Sequence, residues 1–130
     1  MSITQAALFT NAQLHFELDQ SSNEDIDTLI FGVIGFDASG IVRRYNSFES
    51  KAARLSSAAV LGQPMFTVVA PCMNNFLVAQ RFEDALANNA PLDDTIEYVL
   101  TWRMRPAQVK LRLLALPGSD TRYVLVQRFS

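Results

Sequence analysis

The sequence predicts a single α+β domain, in which a five-stranded antiparallel sheet is interrupted by a helical crossover and covered by an N-terminal cap. Three observations predict it. A hairpin signature lies in the first third of the chain, three strand-like stretches fill the last forty or so residues, and helical spacings and breakers lie between them. A length of 130 residues with 49% apolar residues suits one domain with a substantial core.

Taken in order, the first twenty or so residues scatter Leu8, Phe9, Leu14, Phe16 and Leu18 without a sustained period, and we expect residues 1–28 to form the cap on a core of residues 29–130. Ser22-Asn23-Glu24-Asp25 has a hydroxyl N-cap with an acid three positions later, which predicts a short helix to about Leu29. Phe31–Phe36 and Ile41–Tyr45 flank Asp37-Ala38-Ser39-Gly40, the turn chemistry of a β-hairpin. Asn46 is suited to cap a helix carrying Phe48, Glu49, Ala52 and Ala53, and a further helical turn from Ser57 to Leu61 should stop at Gly62. Gln63 to Pro71 is expected to be irregular, bounded by two prolines. From Asn75 to Asn89, Phe76, Ala79, Phe82 and Leu86 fall at the spacing of one helical face, predicting the longest helix. Ile96, Tyr98, Leu100, Trp102 and Met104 alternate with polar or solvent-facing positions as a strand, followed by Val109–Ala115 and Arg122–Phe129. Arg43-Arg44 is expected on opposite strand faces, and Asp93-Asp94 in a solvated turn.

Composition excludes several function classes. No run approaches the roughly 18 apolar residues of a membrane helix, and the N-terminus lacks a basic region followed by an apolar stretch, so a cytoplasmic location without membrane association is expected. One cysteine forms no internal disulfide, and with one histidine it does not complete a four-ligand zinc shell, so no metal is expected. A net charge of −2 offers no general attraction to nucleic acid.

The chemistry concentrates on Cys72. It follows Val69-Ala70-Pro71 and precedes the longest predicted helix, a setting near a helix N-terminus that favours a thiolate suited to acylation. The plainer alternative is a small buried hydrophobe. A cysteine hydrolase needs a histidine base, but the single histidine, His15, falls in the expected cap, so no enzyme is expected. Tyr45 and Glu49 lie four apart across a strand end and a first helical turn, spaced to bring both polar tips into one cavity; alternatively Glu49 is solvated and Tyr45 is a strand-end aromatic. If both are buried near Cys72, they supply a phenol and a carboxyl donor to an anionic ligand oxygen.

Between Phe31 and Arg128 the chain resembles the photoactive yellow proteins, small sensors of the PAS fold. The resemblance is carried by Phe31-Gly32, Asp37-Ala38-Ser39-Gly40, Tyr45-Asn46-x-x-Glu49, Val69-Ala70-Pro71-Cys72, and Glu97-Tyr98 with Met104-x-Pro106-x-x-Val109-Lys110, in that order. It implies a PAS-like five-stranded sheet and a blue-light photoreceptor. Its cofactor would be p-coumaric acid (4-hydroxycinnamic acid), thioester-linked to Cys72, with Tyr45 and protonated Glu49 bonded to the phenolate. It further implies a pocket lined by Ile34, Ala53, Leu55, Met65, Val69, Ala70, Leu100, Trp102 and Met104. Light would drive trans/cis isomerisation, Glu49 would give up its proton and become a buried unpaired carboxylate, and the cap would loosen toward a downstream protein partner. Monomer or weak homodimer is the expected state. The sequence departs from the family pattern at Ala53, where a threonine is usual, at Leu55, where an arginine lid is usual, and at Met65, Leu100 and Trp102, where other aromatics stand. The competing function is a PAS-type ligand or protein interaction module without this chromophore.

Overall fold

The computed structural model describes residues 9–101 and 106–128. Its elements, in chain order, are α1 (Leu14–Gln20), α2 (Asn23–Ile26), β1 (Gly32–Phe36), β2 (Val42–Tyr45), α3 (Ser47–Ala53), α4 (Ser57–Val60), a π-helical turn (Met65–Val69), a 3-10 turn (Pro71–Met73), α5 (Ala79–Ala87), β3 (Leu92–Leu100), β4 (Ala107–Ala115) and β5 (Arg122–Arg128). The strands form one antiparallel sheet in the order β2-β1-β5-β4-β3, so the first hairpin docks beside the last strand and everything helical between β2 and β3 crosses one face.

Local chemistry sets most boundaries. Ser22 and Asp25 exchange side-chain and backbone bonds at the start of α2, a complete capping box. Asn46 starts α3 by accepting from the Glu49 amide, and its Oδ1 also accepts from Val33 N while its Nδ2 donates to Ile26 O and Phe31 O. One fully buried side chain thereby joins α2, β1 and α3. At the end of α3, Arg54 takes a left-handed conformation at φ 57°, where glycine is the usual occupant.

Four expectations need correction. The helix expected over Asn75–Asn89 is shorter, because Asn75 Oδ1 accepts from the amides of Leu77 and Val78 and holds those residues in a turn ahead of α5. Its buried face is therefore Ala79, Phe82 and Ala85, while Phe76 is 81% exposed and Leu86 is exposed too. Gln63 to Pro71 contains the π-helical turn, and Asp93-Asp94 lie within β3. The nine-residue ladder with β4 carries β3 back to Leu92, and each acid finds a guanidinium: Asp93 binds Arg112 through both oxygens, and Asp94 binds Arg81 of α5. The cap segment, with no sustained period, contains α1, whose two turns bury Leu14 and Leu18 four residues apart. Trp102, Met104 and Phe129 lie outside the described residues.

Alternation divides the sheet between two cores. Val33, Leu114, Tyr123 and Leu125 face the cap, where Phe9, Leu14, Leu18, Ile26 and Leu29 cover them. Ile34, Phe36, Val109, Leu111, Leu113, Val124 and Val126 face the helical crossover. Arg43 and Arg44 separate as expected: Arg43 pairs with Asp37 on the hairpin, and Arg44 reaches into the cap.

Candidate functional site

The crossover does not fill its side of the sheet. Between β1, β2, β5, the end of β3 and the α3 and Cys72 segments lies a cavity of about 600 Å³, within the usual range for small-molecule sites of about 300–1,000 Å³. Its walls include Ile34, Tyr45, Glu49, Ala53, Leu55, Val69, Ala70, Cys72 and Leu100, all expected there, and also Ala52, Arg54, Met73, Ala107 and Arg128. Met65, at the first position of the π-helical turn, is fully buried in the core cluster that also holds Val69 and Ala70, and is not among the residues that border the cavity. Both Arg54 and Leu55 border the space, so the left-handed turn after α3 brings the arginine adjacent to Leu55 to the cavity as well.

Cys72 is half-buried in the 3-10 turn, seven positions ahead of Ala79, so it precedes the longest helix but does not lie near that helix's N-terminus. Its setting is fixed instead through the backbone. Tyr98 on β3 donates its hydroxyl proton to the Cys72 carbonyl, and Asn75 Nδ2 donates to the same carbonyl at 3.2 Å and to the Tyr98 hydroxyl at 2.6 Å. This brace was missed; its signal in the sequence was a tyrosine on the inward phase of the Ile96-Tyr98-Leu100 alternation.

Glu49 is buried, not solvated, at 4% exposure, and Tyr45 is buried beside it. The helix start at Asn46 explains this: Glu49 occupies the first turn of α3, which packs against β1, and Gly32 makes room for it. A Cβ on Gly32 would collide with Glu49 Oε1 and stand 3.0 Å from its Cδ. Glu49 Oε2 accepts from Arg128 Nη2 at 2.8 Å, while Glu49 Oε1 and Arg128 Nε are buried without partners among the described residues. Burial raises the Glu49 carboxyl to about 7, with the Arg128 charge and hydrogen bond opposing that rise. Burial, and then the nearby Glu49 charge, push the Tyr45 phenol well above its ordinary value, so it is a donor at neutral pH. Arg128 follows Val124 and Val126 at period two, and that spacing was the available signal for its facing the cavity.

A five-stranded antiparallel sheet with a helical crossover and a side cavity beneath it define a PAS-type domain. The likeness is strongest to one group. The chain is 32% identical over 120 residues to photoactive yellow protein of Halochromatium salexigens, covering 92% of this chain and 95% of that protein. It is also 32% identical over 103 residues to photoactive yellow protein of Rhodothalassium salexigens, covering 79% and 82% respectively. The photoactive yellow protein domain of the sensor histidine kinase Ppr from Rhodospirillum centenum superposes with a TM-score of 0.79 at 30% identity, over 87% of this chain and 98% of that one. A PAS domain of the Cronobacter turicensis RpfR quorum-sensing receptor gives a TM-score of 0.58 at 13% identity, over 78% and 95%, a likeness of fold alone. No family model matches. The chain belongs to the photoactive yellow protein family.

No helix among the described residues is long and apolar enough to cross a membrane, and no cluster of three or more histidine, cysteine or acidic side chains there could hold a metal ion.

Proposed function

We propose that the protein is a blue-light photoreceptor carrying a p-coumaroyl group as a thioester on Cys72. The single observation that supports this most is that Cys72, Tyr45 and Glu49, separated in the sequence, share the wall of one cavity. The residues suit such a group: the walls are mainly apolar, Cys72 is one of them, and Glu49 Oε1 is a buried polar atom without a partner among the described residues. When bound, the group supplies a conjugated double bond that isomerises on absorbing light.

The chain's own residues do the rest. Cys72 would hold the group through a thioester formed from an activated p-coumarate, the thiol proton passing to solvent and the activating group leaving; the Tyr98 and Asn75 bonds hold the turn in place. Tyr45 and protonated Glu49 would hold the phenolate oxygen of the group by donating to it, and Glu49 would be the proton source after light. The expectation of an unpaired carboxylate at that point changes, because Arg128 is already in place to receive it. The charge therefore pulls on the end of β5, whose Tyr123 and Leu125 pack against the cap on the opposite face. Loosening of the cap toward a downstream protein follows through that strand. A PAS-type module for another ligand remains the second reading, favoured by the same ion pair, which satisfies part of the cavity floor without a chromophore.

The test is treatment of the apoprotein with activated p-coumarate, read by intact mass and absorption. One p-coumaroyl adduct and a light-bleachable band beyond tyrosine and tryptophan are expected, with neither in Cys72→Ala. An adduct retained in Cys72→Ala, or none in the native chain, overturns the reading.

A further inference from the structure

Arg128 stands at a point where two buried groups each keep one bonding site free. Its Nη2 holds Glu49 Oε2 at 2.8 Å, its own Nε is buried and unpartnered, and Glu49 Oε1, also buried and unpartnered, borders the same cavity. The Glu49 side chain is 5% exposed and that of Arg128 21%, so the pair is poorly screened by water. Among the described residues, the other ionisable groups on the cavity wall are Tyr45 from β2, Arg54 after α3 and Cys72 from the 3-10 turn; Arg54 is exposed, and the uncharged Gly32 of β1 stands against Glu49.

A buried cation that cannot lose its proton is best matched by one anion, neither none nor two. Without an anionic ligand, Glu49 is that anion. A ligand hydroxyl reaching the pair either donates to Glu49 Oε1 as a neutral group, leaving Glu49 ionised, or gives Glu49 its proton and accepts from Arg128 and Glu49 as an oxyanion. The total charge is the same in both arrangements, and one proton moves between two oxygens. We propose that Arg128 is the specificity-determining residue of the cavity: it fixes one negative charge there, shared between Glu49 and the ligand, and so selects a ligand end with an ionisable hydroxyl. The phenol of the reading above is such a group, and the inference rests on that reading.

The experiment has an unloaded and a loaded arm. In the unloaded protein, infrared titration follows the Glu49 carboxyl, assigned by its loss in Glu49→Gln; in the loaded protein, absorbance follows the phenol of an attached 4-hydroxycinnamoyl group. Arg128→Gln should raise both midpoints by about one pH unit or more. Arg128→Lys should restore most of each shift, and Arg54→Gln should move neither. The double variant Glu49→Gln/Arg128→Gln buries no unpaired charge, and its phenol should titrate above that of Glu49→Gln alone; this comparison stands even if Arg128→Gln does not fold. Unmoved midpoints overturn the proposal. A moved carboxyl with an unmoved phenol overturns Arg128 as the ligand's counter-charge. A native chain that accepts no chromophore overturns the functional reading and the ligand's share of the charge, and the unloaded arm still decides whether Arg128 fixes the proton of Glu49.

Discussion

On the cap face of the sheet, each of two guanidinium groups reaches at least two backbone carbonyls; on the cavity face, one reaches a carboxylate through a single bond and leaves its Nε unpartnered. Arg112, 4% exposed, donates to Phe9 O and Asn11 O while gripping both oxygens of Asp93. Arg44 donates to Leu18 O, Ser21 O and the Tyr123 hydroxyl. His15 Nε2 lies 3.0 Å from Thr121 O. These bonds tie the N-terminal segment to the sheet at points around an apolar core. Across the same strands, Arg128 and Glu49 form one bond and leave Nε and Oε1 without partners above a cavity. The difference teaches that the cap face is fastened by several bonds from each guanidinium, although His15 Nδ1 is left unpartnered there, whereas the cavity face leaves an atom on each side of one ion pair unpartnered; β4 and β5 are common to both.

Several substitutions would break or sharpen that contrast. The largest effect is expected from Arg112→Met, which leaves Asp93 and two cap carbonyls without their buried partner and should cost about 3–5 kcal/mol. Denaturant unfolding measures the loss, and amide exchange should show it concentrated at Leu14–Gln20; protection lost equally around the cavity would end the idea of a separately fastened cap. Next is the pH dependence set by Glu49. Its carboxyl lies at about 7 in the folded chain against an ordinary 4.5, so the unfolded state releases its proton first as pH rises. Stability from this group is therefore full below about 4.5 and declines through about 7, by an amount on the order of 3 kcal/mol. Glu49→Gln should flatten that slope, and an unchanged slope would remove Glu49 as its source.

Gly32→Ala should cost about 1–3 kcal/mol by driving a methyl group into Glu49, and Glu49→Ala in the same chain should recover part of it. Equal losses with and without the Glu49 side chain would show that the clash is not what matters. The smallest effect belongs to His15, whose imidazole is held below its ordinary 6.5 chiefly by burial, with Asp19 pulling the other way. Here the unfolded state takes up the proton first as pH falls, so the cap loses stability below about 6.5, opposite in sign to Glu49. Amide exchange across α1 should show that loss in the native chain and not in His15→Gln; the same pH response in both would assign it elsewhere.

By itself the sequence determined what depends on near neighbours and on period. The Ser22 box, the Asn46 cap, the hairpin turn and the alternation of the last strands are local or repetitive, and they were enough to predict one five-stranded antiparallel sheet interrupted by a helical crossover, though not the order of its strands. The motifs around Tyr45, Glu49 and Cys72 named the residues that meet there. Tertiary structure decided what depends on distant partners. Asp93 and Asp94 became strand residues because the ladder with β4 runs back to Leu92 and their carboxylates meet Arg112 and Arg81, and α5 began late because Asn75 took its first amides. Glu49 acquired a counter-charge from Arg128, a residue 79 positions away. The physical reason is that a buried charge is governed by whatever reaches it through space, and only the folded sheet brings the end of β5 beside the first turn of α3.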